Sequence, residues 1–437
     1  MCPKISRNGV LTFISVLFYA WGGLGHLALL LGSILINFLF VQGIRGKEQH
    51  ARKWLIVGIV FNVLVLLFFK YRNFFLDLAL TSDDLTRLVL PVGISFYTFH
   101  QLSMLVDLYK DRALPKPSFG NTVLYITLFP QLVAGPIVRY NFIADQLLHR
   151  KESLELLYKG IQLFIIGLAK KVIVANTLAV LADSIFDSNQ DFLTSGTAWL
   201  GITAYTLQIY FDFSGYTDMA LGLGNMFGFQ LPENFNLPYI AKSMKDFWRR
   251  WHISLSTWFR DYVYIPLGGN KASKTRTYFN LIVVFALTGF WHGASWSFIF
   301  WGLFHGFFLL MERIWLEGVL NRIPKLIQWA YTLLVVMIGW VFFRVEEFSK
   351  AWYYVEEMFA FDTVGKSALF YLNREFILVL IFGFLFSVFS WKFLSKWRIM
   401  KHPAMEFLKN GALLVLFLYC TLKLTNSSYN PFIYFNF

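Results

Sequence analysis

Apolar runs close to the ~20 residues needed to cross a bilayer recur along this chain, at about 10–22, 27–43, 54–69, 88–108, 160–182, 197–223, 278–291, 296–311, 327–343, 376–393 and 411–424. Backbone polar groups inside lipid must be satisfied within the segment itself, which leaves a bundle of membrane helices as the expected all-α architecture. Charge agrees: only 15% of the 437 residues are Asp, Glu, Lys or Arg, against 57% hydrophobic, where a water-facing domain carries about 25% charged residues. The runs at 10–22 and 278–291 are short and are expected to tilt or to cross incompletely. The basic flank before the first run resembles a secretory signal, but more membrane sequence follows without a small-residue cleavage site, so the run is read as retained.

The formal charge of +13 lies in short loops between apolar runs, not on one face, and therefore reports membrane orientation and not nucleic-acid binding. The loop with Arg45, Lys47, Arg52 and Lys53 is expected inside, as is the stretch 242–276 with its eight basic residues. DSIFDSNQDFLTSG carries Asp183, Asp187 and Asp191 without Lys or Arg and is expected outside, together with EEFSKAWYYVEEMFAFD. These sides are consistent over eleven spans only if 121–138 does not cross. Pro130, Gly135 and Pro136 interrupt helical hydrogen bonding there, so the segment is expected to be re-entrant or discontinuous, with the N-terminus cytoplasmic and the C-terminus extracytoplasmic. The chain then reads as one membrane domain: N-terminal spans in 10–110, the broken segment at 121–138, middle spans in 160–223, a cytoplasmic interfacial segment at 234–276, two spans in 278–311, and C-terminal spans in 327–437. Cys2 and Cys420 lie far apart and lack metal-ligand spacing, so neither a disulfide framework nor a metal site is expected.

The segment 234–276 is too polar to span yet rich in aromatic residues. Trp248, Trp251 and Trp258 can sink to headgroup depth while Lys245, Arg249, Arg250 and Arg260 meet phosphate, which is also how a simple amphipathic anchor works. His292 and His305 fall in apolar surroundings, where an ionisable side chain is a functional candidate. His305, between aromatic residues and a glycine in FHGFF, reads as packing. His292 follows Trp291 and precedes Gly293 at the joint between two short spans, and a histidine there suits a general base that activates a hydroxyl.

Seven ordered stretches, LFYAWG, LPVGISFYTFHQLSMLVDLY, FPQLVAGPIVRY, YFDFSGYTDMALGLGNMFGF, NFNLPYIAKSMKDFWRRWHISLSTWFRDYVYIPLGGN, GFWHGASWSFIFWGLFHG and YNPFIYFNF, together resemble the membrane-bound O-acyltransferases (MBOAT) of the bacterial alginate O-acetyltransferase AlgI type. The resemblance implies an MBOAT-type helical bundle pierced by a transmembrane tunnel, with acetyl-CoA as acyl donor from the cytoplasm and the acceptor on the opposite side. It implies that His292, in the WHG motif, is catalytic, and that His252, in RRWH, is the second functional position. Arg249, Arg250 and Arg260 become candidates for the CoA phosphates, and Asp212, Tyr216 and Asp218 for support of the tunnel or of the catalytic histidine. It further implies a bacterial inner membrane location and an extracytoplasmic polysaccharide, such as alginate, or a periplasmic or surface acetyltransferase partner as acceptor. Members of this type commonly carry a further hydrophobic helix before LFYAWG, and this chain begins almost within that run.

Two rival functions make different demands. D-alanyl transfer toward teichoic acid, in the related DltB branch, would take its acyl group from a carrier protein. A transporter without chemistry would explain the spans and buried histidines, but the internal symmetry expected of one is not seen in the sequence.

Overall fold

A computed structural model describes residues 7–79, 88–361, 365–389, 402–426 and 433. Cys2 and, except for Ile433, the motif at 429–437 lie outside them, as does the end of the run at 376–393. The described residues contain helices and no strand, and they cluster into two compact units.

The first unit comprises residues up to Gly160 together with Ala220–Pro232. It holds α1 (Arg7–Ala20), α2 (Leu24–Ile44), α3 (Glu48–Ala79), α4 (Ile94–Lys110), α5 (Phe119–Thr127), α6 (Phe129–Leu132) and α7 (Tyr140–His149). Asn37 and Asn62 face each other across α2 and α3 and exchange two side-chain hydrogen bonds, of 3.1 and 2.7 Å, so neither amide is left unsatisfied in apolar surroundings. The stretch expected to be discontinuous is divided into α5 and α6 by Leu128. Its backbone is satisfied by side chains of α4 and α5: the Val138 N–H donates to His100 Nε2 at 3.3 Å, and the Tyr125 hydroxyl donates to the Val138 carbonyl at 2.8 Å. A side chain at Gly135 would fall on the backbone of Pro130 and Gln131, so this turn demands glycine.

The second unit comprises Ile161–Met219 and the residues from Glu233 onward. Here α8 (Leu154–Ala169) runs through a π turn at Lys170–Ala175 into α9 (Asn176–Phe186), and α10 (Ser195–Met226) packs against it. Gly167 and Gly215 face one another so closely that a Cβ at either would lie 2.5–2.7 Å from the other's carbonyl oxygen. Small residues at such crossings bring membrane helices backbone to backbone. The approach lets Lys171 reach Asp212 at 2.5 Å and Lys170 reach Asp218 at 2.6 Å. Short helices α11 (Met244–Trp248) and α12 (Ile253–Phe259) precede α13 (Lys274–His292) and α14 (Trp296–Met311). A π turn at Arg260–Tyr264 follows α12, another at Glu312–Leu316 leads from α14 to α15 (Glu317–Leu320), and α16 (Lys325–Arg344), α17 (Phe348–Ala360), α18 (Ala368–Tyr371), α19 (Arg374–Val388) and α20 (Pro403–Asn426) follow.

Among the described residues, six helices are long and apolar enough to cross a membrane: Leu24–Ile44, Glu48–Leu76, Leu154–Phe186, Trp296–Leu320, Lys325–Arg344 and Pro403–Asn426. The other five expected spans are helical but shorter or more polar. α1, α4 and α19 have 14, 17 and 15 residues, α10 carries Asp212 and Asp218, and α13 begins in KTRT.

Candidate active site

His252 initiates α12 from the left-handed region, with φ of 43°, a conformation most side chains avoid. Its imidazole is fully buried, and burial lowers its pKa to about 3, so the ring is neutral at working pH. Nδ1 lies 3.1 Å from Asn234 Oδ1. That oxygen can only accept, so Nδ1 carries the proton and Nε2 the lone pair. The same Asn234 oxygen accepts the Ser254 N–H at 3.1 Å and the Ser254 hydroxyl at 2.9 Å, while the Asn234 carbonyl accepts the Ile253 N–H. One asparagine therefore pins both the ring and the start of the helix. The ring stands edge-to-face on Phe213, centroids 4.7 Å apart, and Trp291 lies 6.3 Å away.

His292 ends α13 on the far side of that indole, 4.8 Å from Trp291, and it also meets Trp301 at 4.9 Å and Phe343 at 5.1 Å. It is 2% exposed. Gly293 leaves the helix extended, and a Cβ there would collide with the Phe298 ring, so the WHG glycine lets α14 fold back against the histidine. Gly289 and Gly302 bring α13 and α14 into backbone contact below it. The two histidines singled out in the sequence thus share one tryptophan.

A cavity of about 240 Å³ opens beside them. Lys245, Arg249 and Arg260 stand in its wall, Leu281, Val284, Phe285 and Leu309 give it an apolar lining, and Thr288, one helical turn before His292, is also part of it, while neither histidine lines it. Arg260 is bound to Asp261 at 2.7 Å, whereas no carboxylate pairs with Arg249 among the described residues. Arg250 is not in this wall: its Nε pairs with Asp246 at 2.9 Å, and Nη1 donates to the Asn236 carbonyl. Asp212 and Asp218 sit on α10 with their lysine partners, and Asp212 also accepts the Ile433 N–H at 2.9 Å. Tyr216 is half-buried on the same helix. His305 is enclosed by Phe247, Trp248, Trp301, Phe304 and Trp340, and neither ring nitrogen has a hydrogen-bond partner among the described residues.

Sequence reasoning passed over Asn234, Lys245 and Thr288 as site residues. A polar side chain close before a non-spanning, histidine-bearing segment was the available signal for Asn234. Thr288 lay four residues before His292, on the same helix face.

A neutral buried imidazole near a cavity lined by cationic and apolar side chains suits the transfer of a small acyl group from an anionic carrier. Residues 29–344 match the family described as MBOAT, membrane-bound O-acyltransferase. The chain belongs to the MBOAT family. It is 43% identical over 374 residues to a Pseudomonas aeruginosa protein named "Probable alginate O-acetylase AlgI", covering 83% of this chain and 72% of that one. A Helicobacter pylori protein named "Peptidoglycan O-acetyltransferase" is 39% identical, covering 83% of this chain and 77% of that one. The "Teichoic acid D-alanyltransferase" of Bacillus subtilis is more distant, 32% identical over 64% of this chain and 73% of its own. This MBOAT chain is an integral membrane O-acyltransferase of the acetyl-transferring branch.

Proposed function

We propose that this enzyme moves acetyl from acetyl-CoA, bound from the cytoplasm, to a hydroxyl of an extracytoplasmic polysaccharide such as alginate, directly or through a serine of an extracytoplasmic acetyltransferase partner. What carries the reading is the cavity, whose lining holds three cationic side chains and Thr288, one helical turn before His292. Lys245, Arg249 and Arg260 take the CoA phosphates, and the apolar lining takes the pantetheine arm and the acetyl group. His292 accepts the proton of the hydroxyl. The oxygen attacks the thioester carbonyl, the new C–O bond forms as the C–S bond breaks, and the proton leaves with the CoA thiolate. His252, fixed by Asn234 with its lone pair on Nε2, orients the donor.

The chemistry places donor and acceptor on opposite sides of one bilayer. We therefore assign the chain eleven crossings around a tunnel in a bacterial inner membrane, with the N-terminus cytoplasmic and the C-terminus outside. The D-alanyl alternative requires a carrier protein at the cavity instead of a nucleotide-bearing donor. The distinguishing experiment is equilibrium binding of CoA to the protein in lipid nanodiscs. R249A/R260A should weaken CoA at least tenfold, an estimate from the loss of two charge-assisted contacts. Unchanged CoA affinity in that variant would remove the donor from this cavity.

A further inference from the structure

Glu312 begins the π turn that ends α14, and it is a carboxylate only 3% exposed in a predominantly apolar unit. Its two oxygens are committed to backbone 68 residues away: Oε1 accepts the Met244 N–H at 2.6 Å and Oε2 accepts the Lys245 N–H at 3.1 Å. The Tyr331 hydroxyl of α16 reaches Oε1 at 3.3 Å. Ser243 satisfies the next two donors of α11, through its hydroxyl for Asp246 and its carbonyl for Phe247. The first three N–H groups of α11, which the start of a helix leaves open, are therefore paired, two of them by Glu312. The adjacent Arg313 donates to Tyr264 Oη at 3.2 Å and to Asn270 Oδ1 at 2.8 Å, and Tyr264 also lines the cavity. π turns break the regular helical register and are frequent at functional sites. This one sends two consecutive charged side chains to two separate segments, the start of α11 and the stretch 264–270.

We propose that Glu312 is a positioning residue of the acyl transfer, holding the α11 wall, with Lys245 and Arg249, at a fixed distance from the helix pair that carries His292. The geometry is direct. α11 bears Lys245 and Trp248 in the cavity wall and leads into Arg249, while α14 bears Leu309 in that wall and Trp301 against His292. A five-residue helix has little stability of its own, so its place depends on what holds its first turn. Glu312 touches no reacting atom, and its effect falls on how the cations meet the donor phosphates. This rests on the donor-cavity reading given above.

The test compares CoA with pantetheine, which shares the arm but lacks the phosphates, by binding to the full chain in lipid nanodiscs. In Glu312→Gln one backbone N–H faces an amide that cannot accept it. CoA affinity should fall about tenfold while pantetheine affinity and the melting temperature hold. Equal loss of both ligands, or no loss of CoA, overturns the proposal. If R249A/R260A weakens CoA and E312Q does not, Glu312 alone is wrong; if R249A/R260A also leaves CoA unchanged, the donor reading has failed first. Should E312Q not fold, Tyr331→Phe and Arg313→Ala each remove one tether and leave the carboxylate in place. Both should show the same phosphate-selective loss at about threefold, and its absence from both overturns the proposal.

Discussion

A left-handed backbone at a buried histidine costs about 1–3 kcal/mol relative to relaxed geometry. At His252 that cost is offset by three bonds to one asparagine oxygen and by edge-to-face packing on Phe213. His292 is wedged among Trp291, Trp301 and Phe343, where replacement by a small side chain removes chemistry and leaves the cage standing. His292→Ala should abolish surface O-acetylation, because a general base contributes ~100- to 10,000-fold. Immunoblotting the inserted protein and measuring acetyl ester on the cell surface checks this, and wild-type acetylation at equal protein level would take His292 out of the mechanism. His305 shares Trp301 with His292 but lies in a fully apolar ring cage. His305→Gln should lower acetylation by less than His292→Ala in the same assay, and an equal loss would make His305 a member of the reacting site.

At the scale of elements, the π turn between α8 and α9 and the glycine crossing with α10 work together. Consecutive lysines on one helix point about 100° apart, and aspartates six residues apart on the other diverge by a similar angle, so two parallel ion pairs form where the helices touch. Lys171 and Asp212 are almost excluded from solvent, and removing one member strands the other charge, at about 3–5 kcal/mol. Lys171→Met should therefore depress the yield of monodisperse protein and its melting temperature in detergent. The double variant K171M/D212N should recover most of both, since the asparagine oxygen still accepts the Ile433 N–H. A single variant as stable as wild type would show the pair to be dispensable.

Much of this was legible in the sequence. Apolar runs located the helices, and the RRWH and WHG stretches located the two histidines. Asp246 and Arg250, four residues apart, already fit an intrahelical pair, which is why Arg250 turns from the cavity that Arg249 lines. What stayed hidden were partnerships between distant segments: Asn234 with His252, and Glu312 with the first turn of α11. Their geometry depends on tight turns and π turns that hydropathy does not report.

At the scale of the whole molecule, the mechanism demands that the cavity and the acceptor be served from opposite sides, and loop charge is the physical quantity that sets this. Lys274 begins α13 among the basic residues of 242–276 and is exposed; Gln190 is exposed in the loop that carries Asp183, Asp187 and Asp191. Arg344 does reach that acidic loop, bridging Asp183 at 3.0 Å and Asp187 at 3.1 Å, and Lys366 lies over Phe192, but two cations against three carboxylates leave the loop acidic. With Cys2 and Cys420 replaced by serine, a cysteine at position 190 should react with a membrane-impermeant thiol reagent in intact cells. A cysteine at position 274 should react only after the membrane is opened. Equal labelling of both in intact cells would put the cationic wall and the acidic loop on one side. An acetyl-CoA pool confined to the cytoplasm could not then supply a cavity whose product leaves outside, and the transmembrane route through His292 would have to be abandoned.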